Sequence, residues 1–161
     1  MSSSARNVCR VLAMLCSLTL TFVTLLSSAA SAQQFAPATA ANAKQFVGTW
    51  KANFQGHPFL TVTLAIEANQ LAGNFSHADI EVNEAGELTK AEANDGEDPI
   101  TDIRVAGDIL RITVKSTDGS EESIQSELRL VAANEADLRM LVPPDVPTPK
   151  PWRLQRVAAK P

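Results

Sequence analysis

One pattern governs what this chain can fold into. From Lys44 to Pro161 apolar side chains recur at every second position, and no stretch shows the repeat of an amphipathic helix. Phe46, Gly48, Trp50, Ala52 and Phe54 share one face of a first strand, and Leu60, Val62, Leu64 and Ile66 share one face of a second. Leu71, Gly73 and Phe75 continue on a third, and a weaker, acidic piece holds Ile80, Val82 and Leu88 around a turn at Asn83-Glu84-Ala85-Gly86. Ile100, Ile103 and Val105 lead to a Gly107-Asp108 turn. Leu110, Ile112 and Val114 then pair, across Asp118-Gly119, with Ile124, Ser126, Leu128 and Leu130. Leu138, Met140 and Val142 form one more strand. Pro143, Pro144, Pro147, Pro149 and Pro151 make an extended loop, and Trp152–Val157 closes the pattern.

Eight to ten short strands joined by tight turns, each with one face to bury, predict an all-β domain. Closure into an antiparallel up-and-down barrel removes both exposed edges, and a two-sheet sandwich is the alternative. The expected organisation is a signal segment over 1–32, a flexible leader over 33–43 rich in Ala, Pro, Thr and Asn, and a single barrel domain over 44–161.

The expected signal has Arg6 and Arg10 at its start, an apolar run from Val11 to Leu26, and an Ala30-Ser31-Ala32 cleavage site. A membrane anchor is the competing reading; no basic stop-transfer cluster follows, so no stable membrane insertion is expected after cleavage. Cys16 lies inside the apolar run, which does not suit a lipoprotein. Both cysteines, Cys9 and Cys16, precede the cleavage site, so the remaining chain is expected to stand without disulfides and to be exported, periplasmic or extracellular, from a bacterium.

The opening Phe46-Val47-Gly48-Thr49-Trp50-Lys51 resembles the first barrel strand of the calycin superfamily, the lipocalins and fatty-acid-binding proteins. The resemblance implies a lipocalin-like barrel whose Trp50 plugs one end, with a late basic residue, Arg156 or else Arg153, packed over it. It departs where Gln55-Gly56-His57-Pro58 replaces a helical lid, and no Tyr exists for a carboxylate-binding Arg-x-Tyr. With its Lys150-Pro151-Trp152 ending, the chain also resembles small exported bacterial domains of unassigned function.

Composition narrows function further. Aromatic residues are 5% of the chain and the formal net charge is -4, which gives no basic footprint for nucleic acid. His57 and His77 lack the spacing of a metal pair, no Ser sits in Gly-x-Ser-x-Gly, and neither catalysis nor a cofactor is expected. The sequence points to a monomeric binding protein holding a small apolar ligand inside the barrel. The candidate lining is Trp50, Phe54, Val62, Leu64, Phe75, Leu110, Ile112, Leu128, Met140, Trp152 and Arg156. These side chains could equally fill the barrel. The filled-barrel alternative recognises a protein partner through the acidic stretch from Asp79 to Asp108, where ten acids face only Lys90 and Arg104; this stretch, with Asn94 to Asp98, could also suit Ca²⁺.

Overall fold

Alternation is realised as one antiparallel sheet that closes on itself. The computed structural model describes residues 33–92, 96–115 and 123–158. Its strands are β1 (Ala36–Pro37), β2 (Gly48–Phe54), β3 (His57–Glu67), β4 (Gln70–His77), β5 (Asp79–Val82), β6 (Leu88–Glu92), β7 (Asp98–Ala106), β8 (Ile109–Lys115), β9 (Ser123–Ala132), β10 (Glu135–Leu141) and β11 (Trp152–Val157). The wall runs β7-β4-β3-β2-β11-β10-β9-β8, and a β7–β8 ladder from Ile100↔Val114 to Ala106↔Ile109 closes it. This is an eight-stranded antiparallel barrel. The sandwich alternative falls because one sheet, not two, encloses the core; β5 and β6 form only a separate hairpin between β4 and β7. Among the described residues no helix is long and apolar enough to cross a membrane.

Two-residue turns set the meander. Gln55 and Gly56 both have positive φ between β2 and β3, as do Ala68 and Asn69 between β3 and β4, the backbone signature of a hairpin turn that follows the strand twist. Within the wall, the inward residues make a dry centre: Trp50, Val62, Leu64, Phe75, Leu110, Ile112, Val114, Leu128, Leu138 and Leu154 are all essentially inaccessible. The expected signal segment, the Asn94–Asp95 part of the acidic loop and the Asp118-Gly119 turn lie outside the described residues.

The stretch 33–43 corrects an expectation. From Ala36 it is part of the barrel wall, not a leader outside it. β4 meets β7 only at Asn74↔Pro99 and Phe75↔Asp98, after which the two strands diverge. The N-terminal segment enters that gap. Ala36 and Pro37 pair with Val105 and Arg104, Ala38 donates to Ile103 O at 3.1 Å, and Leu71 N donates to Ala38 O at 3.1 Å. Buried backbone groups need partners, so the segment serves both strands at once. Asn42 then folds the chain back, accepting from Thr39 N at 2.7 Å and donating to Pro37 O at 3.0 Å, and Ala43 is fully buried. Small alanines fit the narrow seam, and their small size is why the segment showed no apolar pattern.

Candidate functional site

The barrel's two ends differ. At one end a single-turn 3-10 helix, Lys44–Phe46, lies across the opening. Phe46 and Trp50 are fully buried, and the Trp50 indole N–H donates to Phe46 O at 2.8 Å. Arg156 is the cross-strand partner of Trp50, its guanidinium centred 4.3 Å from the ring centroid and donating to Gln45 O. A cation over an indole face stabilises by about 0.5–2 kcal/mol. Gly48, at φ +134, lets the aliphatic stem of Arg156 pass over it. Of the two basic residues expected near Trp50, Arg156 therefore takes the position, while Arg153 points outward and pairs with Asp137 and Glu135. This end is sealed.

The other end holds a half-open pocket of about 170 Å³. Phe59 and Leu60 from β3, Phe75 and His77 from β4, Ala78, Asp79 and Ile80 leading into β5, Ile124 from β9, Met140 from β10 and Trp152 from β11 line it. Phe59 and Trp152 stand edge to face with centroids 5.3 Å apart. The Trp152 Nε1 is buried without a hydrogen-bond partner. Deeper in, the Ser126 hydroxyl contacts Met140 Sδ at 3.3 Å.

The frame around this mouth is polar. Asn83 Oδ1 accepts from Ala85 N and Glu87 N, forming the β5–β6 turn. Lys150 in the proline-rich loop clamps it, donating its backbone N–H to Gly86 O at 2.8 Å and its ammonium to Glu87 Oε1 at 2.7 Å. Both Lys150 and the side chain of Asn83 hold the Glu87 carboxyl below its ordinary value.

Only part of the expected lining reaches the pocket. Phe75, Met140 and Trp152 line it; Trp50, Val62, Leu64, Leu110, Ile112 and Leu128 are packed in the dry centre, Phe54 is half-buried against that centre, and Arg156 lies at the sealed end. The side chains of the expected lining mostly fill the centre of the barrel, as an interior of eight strands is just wide enough to be filled, and the open space lies at one end. Phe59, His77, Ala78, Asp79 and Ile80 were not expected there. Phe59 enters because a register shift opposite Ala52 and Asn53 turns both Phe59 and Leu60 inward.

The acidic stretch does not form one surface. Asp79 to Glu92 belong to the hairpin beside the pocket, whereas Asp108 sits in the β7–β8 turn at the sealed end. Several of its charges are answered internally: Glu81 and Glu92 flank Lys90, Glu87 meets Lys150, and Asp102 meets Arg104. Exposed pairs of this kind contribute about 0–1 kcal/mol each. His57 is exposed at the β2–β3 turn, and no group of three metal-ligating side chains occurs among the described residues. No family model, curated protein or solved structure matches this chain.

Proposed function

We propose that this chain is an exported, non-catalytic, monomeric binding protein of lipocalin-like type, and that it holds one small apolar group in the open end of its barrel. The half-open apolar pocket in an otherwise filled interior carries this reading. Natural interiors leave few voids larger than a water molecule, and a cavity of roughly 150 Å³ lined by aliphatic and aromatic side chains is enough to take a benzene ring. A space of about 170 Å³ therefore suits a single ring or a short branched chain, and is too small for an extended lipid tail. Burying such a group against Phe59, Phe75, Met140 and Trp152 is favourable by about 25 cal/mol per Å² of apolar surface. Export fits the Arg6 to Ala32 segment and the absence of cysteine after it.

Native mass spectrometry of the protein recovered from an exporting bacterial cell tests the reading. The expected result is a low-mass apolar adduct that organic extraction removes and that a one-ring compound restores. An apo mass that stays unchanged across added one-ring and short branched compounds overturns it.

A further inference from the structure

The inward face of β9 carries a polar side chain where the period of two calls for an apolar one. Ile124, Ser126, Leu128 and Leu130 alternate along that face, and Ser126 is the only polar residue buried among the described residues, with no exposure at all. Its cross-strand partners are Ile112 on β8 and Met140 on β10. The hydroxyl contacts Met140 Sδ at 3.3 Å. A thioether sulfur is a weak acceptor, so this buried hydroxyl is poorly compensated, and an alanine here would avoid that cost. Both neighbours of Ser126 on the pocket side line the open space: Ile124, two residues along the same face, and Met140, directly across the ladder. Met140 is unbranched and only half-buried, so its thioether can swing away from Ser126 while the backbone stays in place.

We propose that Ser126 is the specificity-determining residue of the pocket, reached when Met140 swings aside, and that the ligand is a single ring or short branched body carrying one neutral oxygen. This rests on the binding reading above and names the ligand class for the same site. A ligand oxygen that replaces Met140 Sδ gives the Ser126 hydroxyl a stronger acceptor, and a ligand hydroxyl can donate to Ser126 Oγ in return. The oxygen is neutral because Ser126 lies between Ile112 and Met140 on the ladder and next to Leu128 on its own face. No Lys or Arg lines the pocket, so a carboxylate carried to that depth would leave water without an opposite charge beside it. A purely apolar pocket discriminates in the other direction: it takes a ring with a methyl group and disfavours the same ring with a hydroxyl, which gives up its bonds to water for nothing.

Toluene and phenol are two neutral probes of nearly one size that differ by a methyl and a hydroxyl. Each is titrated at neutral pH into protein from an exporting host labelled at its methionine methyl groups. Met140 is the only methionine after residue 32, so a shift of its methyl signal places the probe in the pocket. Phenol is expected to bind the wild-type protein at least as tightly as toluene. In Ser126→Ala, toluene is expected to keep its affinity while phenol falls about tenfold below it, the scale set by a buried hydroxyl without a partner. Removing a poorly partnered hydroxyl should not disturb folding. Should the alanine variant fail to fold, Ser126→Cys makes the same comparison, since a thiol is only a weak donor and acceptor.

Phenol binding more weakly than toluene in the wild-type protein overturns the neutral-oxygen assignment and leaves the apolar-pocket reading standing. A ratio of phenol to toluene affinity that is unchanged by substitution of Ser126 overturns the role of that residue. Failure of both probes to bind or to move the Met140 methyl signal overturns both readings.

Discussion

The two ends of this barrel each hold a tryptophan, and the two are used in opposite ways. Trp50 is inaccessible to solvent, its indole N–H bonded to Phe46 O and its face covered by Arg156. Trp152 is only partly covered, stands edge to face with Phe59, and leaves its Nε1 unpartnered. The difference comes from what crosses each opening. At the sealed end the chain supplies a helical turn whose carbonyls, Phe46 O and Gln45 O, accept from the ring and the guanidinium. At the open end the hairpin, whose Asp79 and Ile80 line the pocket, is tied to the proline-rich loop through Gly86 and Lys150, and neither delivers a backbone acceptor to the Trp152 indole. An aromatic residue becomes a plug when backbone acceptors are delivered to it, and a pocket wall when they are not.

Removing each ring should break or sharpen this contrast. Trp50→Ala deletes a fully buried ring from a well-packed site and is expected to cost about 3–5 kcal/mol. Trp152→Ala removes a half-exposed ring beside existing space and should cost about 1–2 kcal/mol, while weakening uptake of any one-ring compound. Urea unfolding of the two variants decides it: equal losses, or the larger loss at Trp152, would end the distinction between plug and wall.

Two glycines of positive φ carry the next largest effect, one near each end. At Gly86, φ +74, an added Cβ would run into Thr148 O and Lys150 N of the clamped loop; at Gly107, φ +61, it would meet nothing. Gly107→Ala should therefore cost only the backbone strain, about 1 kcal/mol. Gly86→Ala adds a clash with backbone and should cost about 2–3 kcal/mol, or release the proline-rich loop. Thermal unfolding gives the ranking, and a Gly86→Ala loss no larger than that of Gly107→Ala would show that the clamp does not hold the open end in shape.

The wall of the barrel was legible because burial on one face imposes a period of two, and most inward residues, from Val62 to Leu154, follow it. The pocket was legible where that period survives, at Leu60, Phe75, Ile124, Met140 and Trp152. Phe59 and the stretch from Ala78 to Ile80 come from places where the period breaks. Phe59 turns inward at a bulge, and Ala78 to Ile80 follow β4 out of the wall into the hairpin. A trace of the same effect was present in β7, where Ile100 and Ile103 are three residues apart yet both pack on the core, a spacing that needs the register shift found between Ile100 and Asp102. The N-terminal segment was missed for a different reason. It is held mainly by backbone hydrogen bonds and by Ala38 and Ala43, which no side-chain period announces.

The smallest expected effect concerns pH and separates the ends once more. The Lys150 hydrogen bond, then that of Asn83, holds the Glu87 carboxyl below the ordinary value of 4.5. A group whose folded pKa is depressed contributes its stabilisation fully above the unfolded value, and loses it as pH falls through the folded one. Between pH 7 and 5 the clamp should therefore be constant, and it should weaken only once pH drops below 4.5. Because Glu87 is fully exposed, salt should reduce the effect. Hydrogen-exchange protection of the Lys150 amide, bonded to Gly86 O, reports the open end, and that of the Arg156 amide, bonded to Asn134 O, reports the sealed one. Acid should lower the first before the second, and Glu87→Gln should erase the difference in onset; loss of both amides at one pH in the wild-type protein would mean that the whole barrel loosens together and that the ion pair does not set the stability of its open end.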